Sequence, residues 1–178
     1  MRTDRLQREY GVELRWTVFP LHPETPAEGM ELSKLFAGRE AEIAVMQGRL
    51  SQLAAAEGIP LMVRTRTCNS RRAQELGKWA ELRGKGDPFH RAVYRAYFVE
   101  GRNVALIDEL KRIADSVGLP SDEAQAVLAE RRFAAAVDAD WQRAGELRIS
   151  AVPTHLCEGK RLAGFSDYDD FVRLIGKG

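Results

Sequence analysis

The sequence predicts an α/β protein in which a large all-helical block interrupts an α/β unit, and three observations carry that prediction. Val12, Leu14, Trp16 and Val18 alternate with Glu13, Arg15 and Thr17, the period-two pattern of a strand with one buried face. From about Glu31 the apolar period becomes helical and stays so as far as Ala144. The chain then closes on Ile149 to Phe165, which reads as a strand entered through Pro153, a tight turn at Glu158-Gly159-Lys160 and a second strand. A short helix with Phe171, Leu174 and Ile175 follows.

Leu6 and Tyr10 lie one turn apart on a first helix, which Gly11 stops at the C-terminal glycine position. After the early strand, Leu21 to Pro26 is extended or turned, because each proline pushes the residue before it away from helical geometry; it reads as a boundary between subdomains. Ile43, Met46, Leu50 and Leu53 recur at helical spacing until Gly58-Ile59-Pro60. Asn69 is the expected N-cap of a helix carrying Ala73, Leu76 and Ala80. Asp87-Pro88 opens a helix with Phe89, Val93, Ala96 and Tyr97. Ile107, Leu110, Ala114 and Val117 mark the next, and Ala124, Val127 and Leu128 the one after Gly118-Leu119-Pro120. Phe133, Val137, Trp141 and Ala144 give a longer helix that leads to the proline motif.

Composition narrows the function classes. The 178 residues are 44% hydrophobic and 30% charged with a net charge of +1, the balance of a chain that can bury a core. Arg and Lys are interleaved with Glu and Asp along the helices, so no basic face for nucleic acid is expected. There is no apolar run of about 18 residues, the length a membrane span requires. Met1 to Tyr10 is charged throughout and lacks the apolar core of an export signal, so a cytoplasmic protein is expected. Cys68 and Cys157 are too few and too isolated for a disulfide framework or a zinc site. His22, His90 and His155 occur on different elements with no metal-ligand spacing.

Several blocks in order add a resemblance: Trp16 through Pro26, Asn69-Ser70-Arg71-Arg72-Ala73, His90 through Gly101, Val152-Pro153-Thr154, then the hairpin glycines with Phe171, Leu174 and Ile175. Together they resemble the DsbA-like branch of the thioredoxin superfamily, and within it the FrnE-like group and the related 2-hydroxychromene-2-carboxylate isomerases. The resemblance implies a thioredoxin-like fold with residues 1–30 and 131–178 forming the thioredoxin-like domain and residues 31–130 a helical insertion. It implies that Pro153 is cis and that the Val152 backbone pairs with an extended peptide or with glutathione. The expected partners are thus a thiol- or disulfide-containing protein or glutathione as co-substrate, with no cofactor required. The implied activity is thiol-disulfide exchange; the alternatives are glutathione-dependent isomerisation, where glutathione supplies the thiol, and a non-catalytic binding module.

The resemblance also exposes a gap. In that family a first strand runs into a Cys-x-x-Cys turn, whose first thiolate is stabilised by a helix N-terminus. Here Met1 to Leu6 looks like the middle of that helix, and the expectation is a fold whose first strand is missing and whose dithiol exchange is absent. That strand would lie between residues 12–18 and the strand at Pro153 to Cys157. Its loss would leave buried main-chain groups unpaired at about 1–3 kcal/mol each. Insertion of a partner's strand, closure of the two flanking strands on each other, or a late start of the sequence are the three resolutions. Self-association to a homodimer through exposed edges is the expectation for a folded copy.

Other side chains have more ordinary readings. Cys68 stands just before the expected cap, where a helix start would lower its pKa, but free cysteine is usually buried and inert. Cys157 lies within a strand, and burial is expected there too. Asn69 would orient a substrate by resemblance, although capping already explains it. His155 is expected to be satisfied by neighbouring backbone. Trp79, Phe89, Tyr94, Tyr97 and Phe98 read as helix packing plus a cleft wall, and Asp167, Asp169 and Asp170 as acidic residues at a helix start.

Overall fold

The computed structural model describes residues 2–177. In chain order the elements are α1 (Arg2–Tyr10), β1 (Met30–Glu31), α2 (Leu32–Leu35), α3 (Glu40–Ala56), β2 (Arg66–Thr67), α4 (Arg71–Leu82), α5 (Gly86–Phe98), α6 (Ile107–Ser116), α7 (Ser121–Ala129), α8 (Ala134–Glu146), β3 (Thr154–Cys157), β4 (Lys160–Ala163) and α9 (Tyr168–Leu174). They form two compact units, Met1–Phe19 with Asp138–Gly178, and Pro20–Val137. No helix among the described residues is long and apolar enough to cross a membrane.

The helical unit begins earlier and ends later than the 31–130 read from the sequence. Local bonding explains both shifts. Asn69 donates its amide to the carbonyls of Pro23 and Thr25 at 3.0 and 2.8 Å, and Asn103 donates to Ala27 at 3.0 Å. Met30 pairs with Thr67 and Glu31 with Arg66 in a short antiparallel ribbon. Gly29 is required beside it, because at φ 87° a Cβ would stand 2.6 Å from the Thr67 carbonyl oxygen. At the other end Arg71 Nη2 donates to the Ala134 carbonyl at 3.0 Å, tying in the first turn of α8.

Helices α4 to α7 supply the core of this unit. Leu76, Trp79, Phe89, Leu110, Ile113 and Leu128 are buried in one apolar cluster. Amongst them lies a carboxylate. Glu75 is fully buried and accepts Arg71 Nε at 2.8 Å, Arg131 Nε at 2.8 Å and Arg131 Nη2 at 2.6 Å. A buried charge persists only when paired and hydrogen-bonded in this way. Burial pushes the Glu75 carboxyl up, but the two guanidiniums outweigh it and hold it below the usual carboxylate range.

Helix starts are shifted slightly. The N-cap of α4 is Ser70 rather than Asn69, yet the Asn69 Oδ1 still accepts the Arg71 N–H at 2.8 Å, so it caps from one residue upstream. Helix α5 starts at Gly86, with Asp87 and Pro88 in its first turn. Helix α3 obeys the predicted period, but only Ala54 is buried, and Met46 and Leu50 are exposed. The spacing fixed the helix; the partner for its apolar face was a tertiary matter.

In the other unit, β3 and β4 form an antiparallel hairpin in which Thr154 faces Ala163 and Cys157 faces Lys160. Glu158 and Gly159, both at positive φ (49° and 81°), form the two-residue turn, a conformation that matches the right-handed twist of the strands it joins. An Asp167–Asp170 capping box starts α9, with the Asp167 N–H donating to Asp170 Oδ2 at 3.0 Å. Phe171 and Leu174 of α9 and Leu6 of α1 are buried. Glu9 joins these two helices, accepting Arg5 Nε at 2.7 Å and the Tyr168 hydroxyl at 2.6 Å.

The predicted strand at residues 12–18 is not a strand. Val12, Leu14, Trp16 and Val18 are half-buried and the residues between them exposed, so the alternation is real, but no ladder forms. Alternation records which side chains face inward, whereas a strand also needs a neighbouring backbone. The Val18 N–H bonds instead to the buried Asp140 carboxylate at 3.0 Å. Nor do the flanking segments close on each other: among the described residues β3 pairs with β4 alone.

Replacing Glu75 with Ala takes the Glu75 carboxylate away from Arg71, whose side chain is only 17% exposed. The expected loss is about 3 kcal/mol, the lower end for breaking a buried pair because Arg131 is half-exposed and can turn to water. Urea unfolding of the two proteins measures it, and a change below about 1 kcal/mol would refute a structural role for this cluster.

Candidate functional site

Pro153 enters β3 through a cis peptide bond from Val152. The Pro153 carbonyl accepts the Gly164 N–H at 2.8 Å, and the Thr154 hydroxyl donates to the Ala151 carbonyl at 2.7 Å. Ala151, Val152 and Pro153 are exposed. Neither the N–H nor the C=O of Val152 has a partner among the described residues. The segment is thus anchored on both sides of Val152, whose own main-chain groups face no internal bond. A fixed backbone with an open donor and acceptor can accept an extended chain.

Along β3 the side chains divide by face. His155 and Cys157 are half-buried and Leu156 is exposed, 45% of its surface reaching solvent. The His155 ring meets Phe171 edge-on at 4.7 Å, and its Nδ1 is buried with no hydrogen-bond partner. This corrects the expectation of a backbone bond: packing against an aromatic ring holds the imidazole where no carbonyl reaches it. Burial pushes the His155 pKa down.

The remaining candidates fall in the helical unit. Asn69 spends both amide hydrogens on Pro23 and Thr25 and its oxygen on the Arg71 N–H, leaving one acceptor lone pair for a ligand. Cys68 is half-buried and packs against the core cluster. Burial raises its pKa above the ordinary thiol value, and this outweighs hydrogen bonds from the Val104 and Ala105 N–H groups and the nearby Arg64 charge. The electropositive backbone at Cys68 therefore comes from the turn before α6, not from the start of α4. A thiol so placed is a poor nucleophile.

His90 Nε2 lies 3.2 Å from a Glu81 oxygen, so it does have a carboxylate neighbour, reached across two helices rather than along one. His22 stacks edge-on against Phe36 at 5.4 Å. Among the described residues no three His, Cys, Asp or Glu side chains converge to hold a metal ion. A depression of about 470 Å³ borders Ala27, Arg72, Asp108 and Arg112, and none of the candidate residues lines it. One cluster had no local signal in the sequence: Arg64, Thr67 and Tyr97 meet through side-chain hydrogen bonds, although residues 64 and 97 are far apart in the chain.

The family model of the DSBA-like thioredoxin domain matches residues 1–176. Among solved structures, a probable DsbA oxidoreductase from Streptomyces coelicolor superposes with a TM-score of 0.88 at 23% identity, over 99% of this chain and 81% of that one. A 2-hydroxychromene-2-carboxylate isomerase superposes with a TM-score of 0.76 at 19% identity, over 98% of this chain and 84% of that one. No curated protein matches the chain. At these identities the two structures show a shared fold, including the helical insertion.

His155 yields a pH prediction. Its folded pKa is depressed, so between that value and the ordinary histidine value of about 6.5 the unfolded chain binds the proton first. Its effect is to lower stability as pH falls below about 6.5 and to leave it unchanged above. His155→Phe, which keeps the edge contact with Phe171 and removes the unpaired nitrogen, should flatten that slope and stabilise the protein by about 1 kcal/mol. Thermal unfolding of both proteins from pH 7.5 to 5 checks it; parallel curves would contradict the assignment.

Proposed function

The chain belongs to the DSBA-like thioredoxin domain family, and from that premise we propose that it binds an extended thiol- or disulfide-bearing protein segment, or glutathione, through the main chain at Val152 and Pro153. The observation that carries this reading is the exposed, unpartnered backbone of Val152 at the open edge beside β3. Each main-chain bond a ligand adds there contributes modestly, about 0.5–1.5 kcal/mol, so several are needed for useful affinity. Leu156, exposed on the same strand, offers an apolar contact as well.

Electron transfer is a separate matter. Dithiol exchange of the DsbA type needs a vicinal pair of thiols, and the sequence holds Cys68 and Cys157 alone, with no Cys-x-x-Cys. We therefore assign to these residues the binding step and not the redox step. A second reading is a glutathione-dependent isomerase of the 2-hydroxychromene-2-carboxylate type, which needs no vicinal pair because the thiol arrives with glutathione, and an enzyme of that kind shares the fold. Two isolated cysteines also fit a reducing, cytoplasmic setting.

Titration of the ¹⁵N-labelled protein with reduced glutathione tests the binding step. Shift changes centred on Val152, Thr154 and Gly164 are expected. Val152→Pro removes the open N–H from an exposed residue and should weaken binding about five- to tenfold. Unaltered affinity in that variant would sink the reading. Insulin reduction should be negligible, and glutathione-dependent isomerisation of 2-hydroxychromene-2-carboxylate would select the second reading.

A further inference from the structure

The helical unit carries a cation that its own carboxylates do not neutralise. Arg71, Arg83, Arg102 and Arg131 of this unit each pair with a glutamate. Arg64 pairs with none among the described residues. Its guanidinium lies 4.4 Å from the centre of the Tyr97 ring and 4.8 Å from that of Phe98. Nη1 donates to the Tyr97 hydroxyl, which stands 3.1 Å from Thr67 Oγ1. The Arg64 carbonyl accepts Gln47 Nε2 at 3.0 Å, so main chain and side chain are both held. A guanidinium has five N–H donors, and this one spends a single donor on the protein. A planar fork fixed by aromatic stacking loses little further freedom when it grips a carboxylate.

The surroundings are apolar and open. Leu50 on α3 and Met62 and Val63 beside Arg64 are 48%, 42% and 66% exposed, and with Phe98 they border the same depression. That depression encloses only about 30 Å³, the share of one water molecule, so an occupant must lie across it rather than sink into it. The main chain offers a track for such an occupant. The Met62 N–H donates to the Phe98 carbonyl at 2.8 Å, whereas the N–H and C=O groups of Leu61 and Val63 have no partner among the described residues. Unused main-chain groups, apolar side chains and one uncompensated cation together specify a ligand.

We propose that Leu61 to Arg64, with Leu50 and Phe98, docks an extended protein segment bearing a carboxylate flanked by apolar side chains. The carboxylate forks onto Arg64, the apolar neighbours cover Leu50 and Met62, and the segment's main chain bonds to Leu61 and Val63. This is independent of the Val152 reading, since each binding event reports on different residues.

The probe is the blocked peptide acetyl-Thr-Val-Leu-Glu-Val-Leu-Thr-amide, titrated into the full ¹⁵N-labelled chain beside its counterpart with Gln in place of Glu. Shift changes centred on Gln47, Leu61, Val63 and Arg64 are expected, with the Glu peptide binding about tenfold tighter. Arg64→Ala should abolish that preference. Leu50→Glu, an exposed substitution that leaves the core intact, should do the same by repulsion if the first variant does not fold. Equal affinity for the two peptides, no binding at millimolar concentration, or changes confined to Val152, Thr154 and Gly164 would overturn the proposal. Octanoate binding as tightly as the Glu peptide would overturn it in favour of a small carboxylate.

Discussion

Main-chain hydrogen bonds must be made somewhere, and in the β3–β4 unit they are made on one side only. β4 serves one edge of β3, and Gly164 reaches the Pro153 carbonyl just beyond the paired register. On the far side of Pro153, Val152 is left with a free donor and acceptor in a segment fixed by its neighbours. Buried, such groups would cost stability; exposed to water, they cost little and stay open to a further bond. The functional reading of the protein depends on that difference.

The helical unit is held together by different physics. Its core is apolar, but the carboxylate of Glu75 inside it is satisfied by Arg71 and Arg131 from two separate segments. Such a pair gives weak net stability but tolerates no single partner's loss, so it fixes which segments meet. The contrast with Arg64 is instructive. Both involve guanidiniums held in the same unit, yet one set is closed on a carboxylate and the other lies over two rings with a single donor spent on the protein. An open main chain recurs at Val152 and at Leu61 to Arg64, and Arg64 adds an unspent polar group at the second place.

The family assignment alters how the thiols are weighed. In a DsbA-like domain attention falls first on cysteine, but Cys68 is packed under the helical core and its pKa is raised by burial. Cys157 belongs to β3 and shares its face with His155, a ring set against Phe171. A buried thiol of that kind is a poor nucleophile, and this holds for Cys68. The proposed contact with a thiol partner therefore rests on main chain and not on either cysteine.

Much of this was legible in the sequence, because it rests on short-range rules. Gly11, Gly58 and Gly118 end helices at positive φ, the Glu158-Gly159 pair turns the hairpin, and the Asp167 start of α9 carries its own cap. Periodicity located α3 through α9, and the ordered blocks around Val152-Pro153-Thr154 located the family. Other features needed the folded chain. Residues 12–18 keep the alternation of a strand without the ladder, because pairing depends on a second backbone that no local pattern encodes. His155 lost its expected partner, α3 keeps its apolar face uncovered, and Arg64 found Tyr97 rather than a carboxylate. The sequence by itself determined which segments are helical, where they stop and which family they form, since those follow from neighbours a few residues apart. Which polar groups are spent and which stay open was decided only by tertiary structure, because a hydrogen-bond partner is chosen by proximity in space.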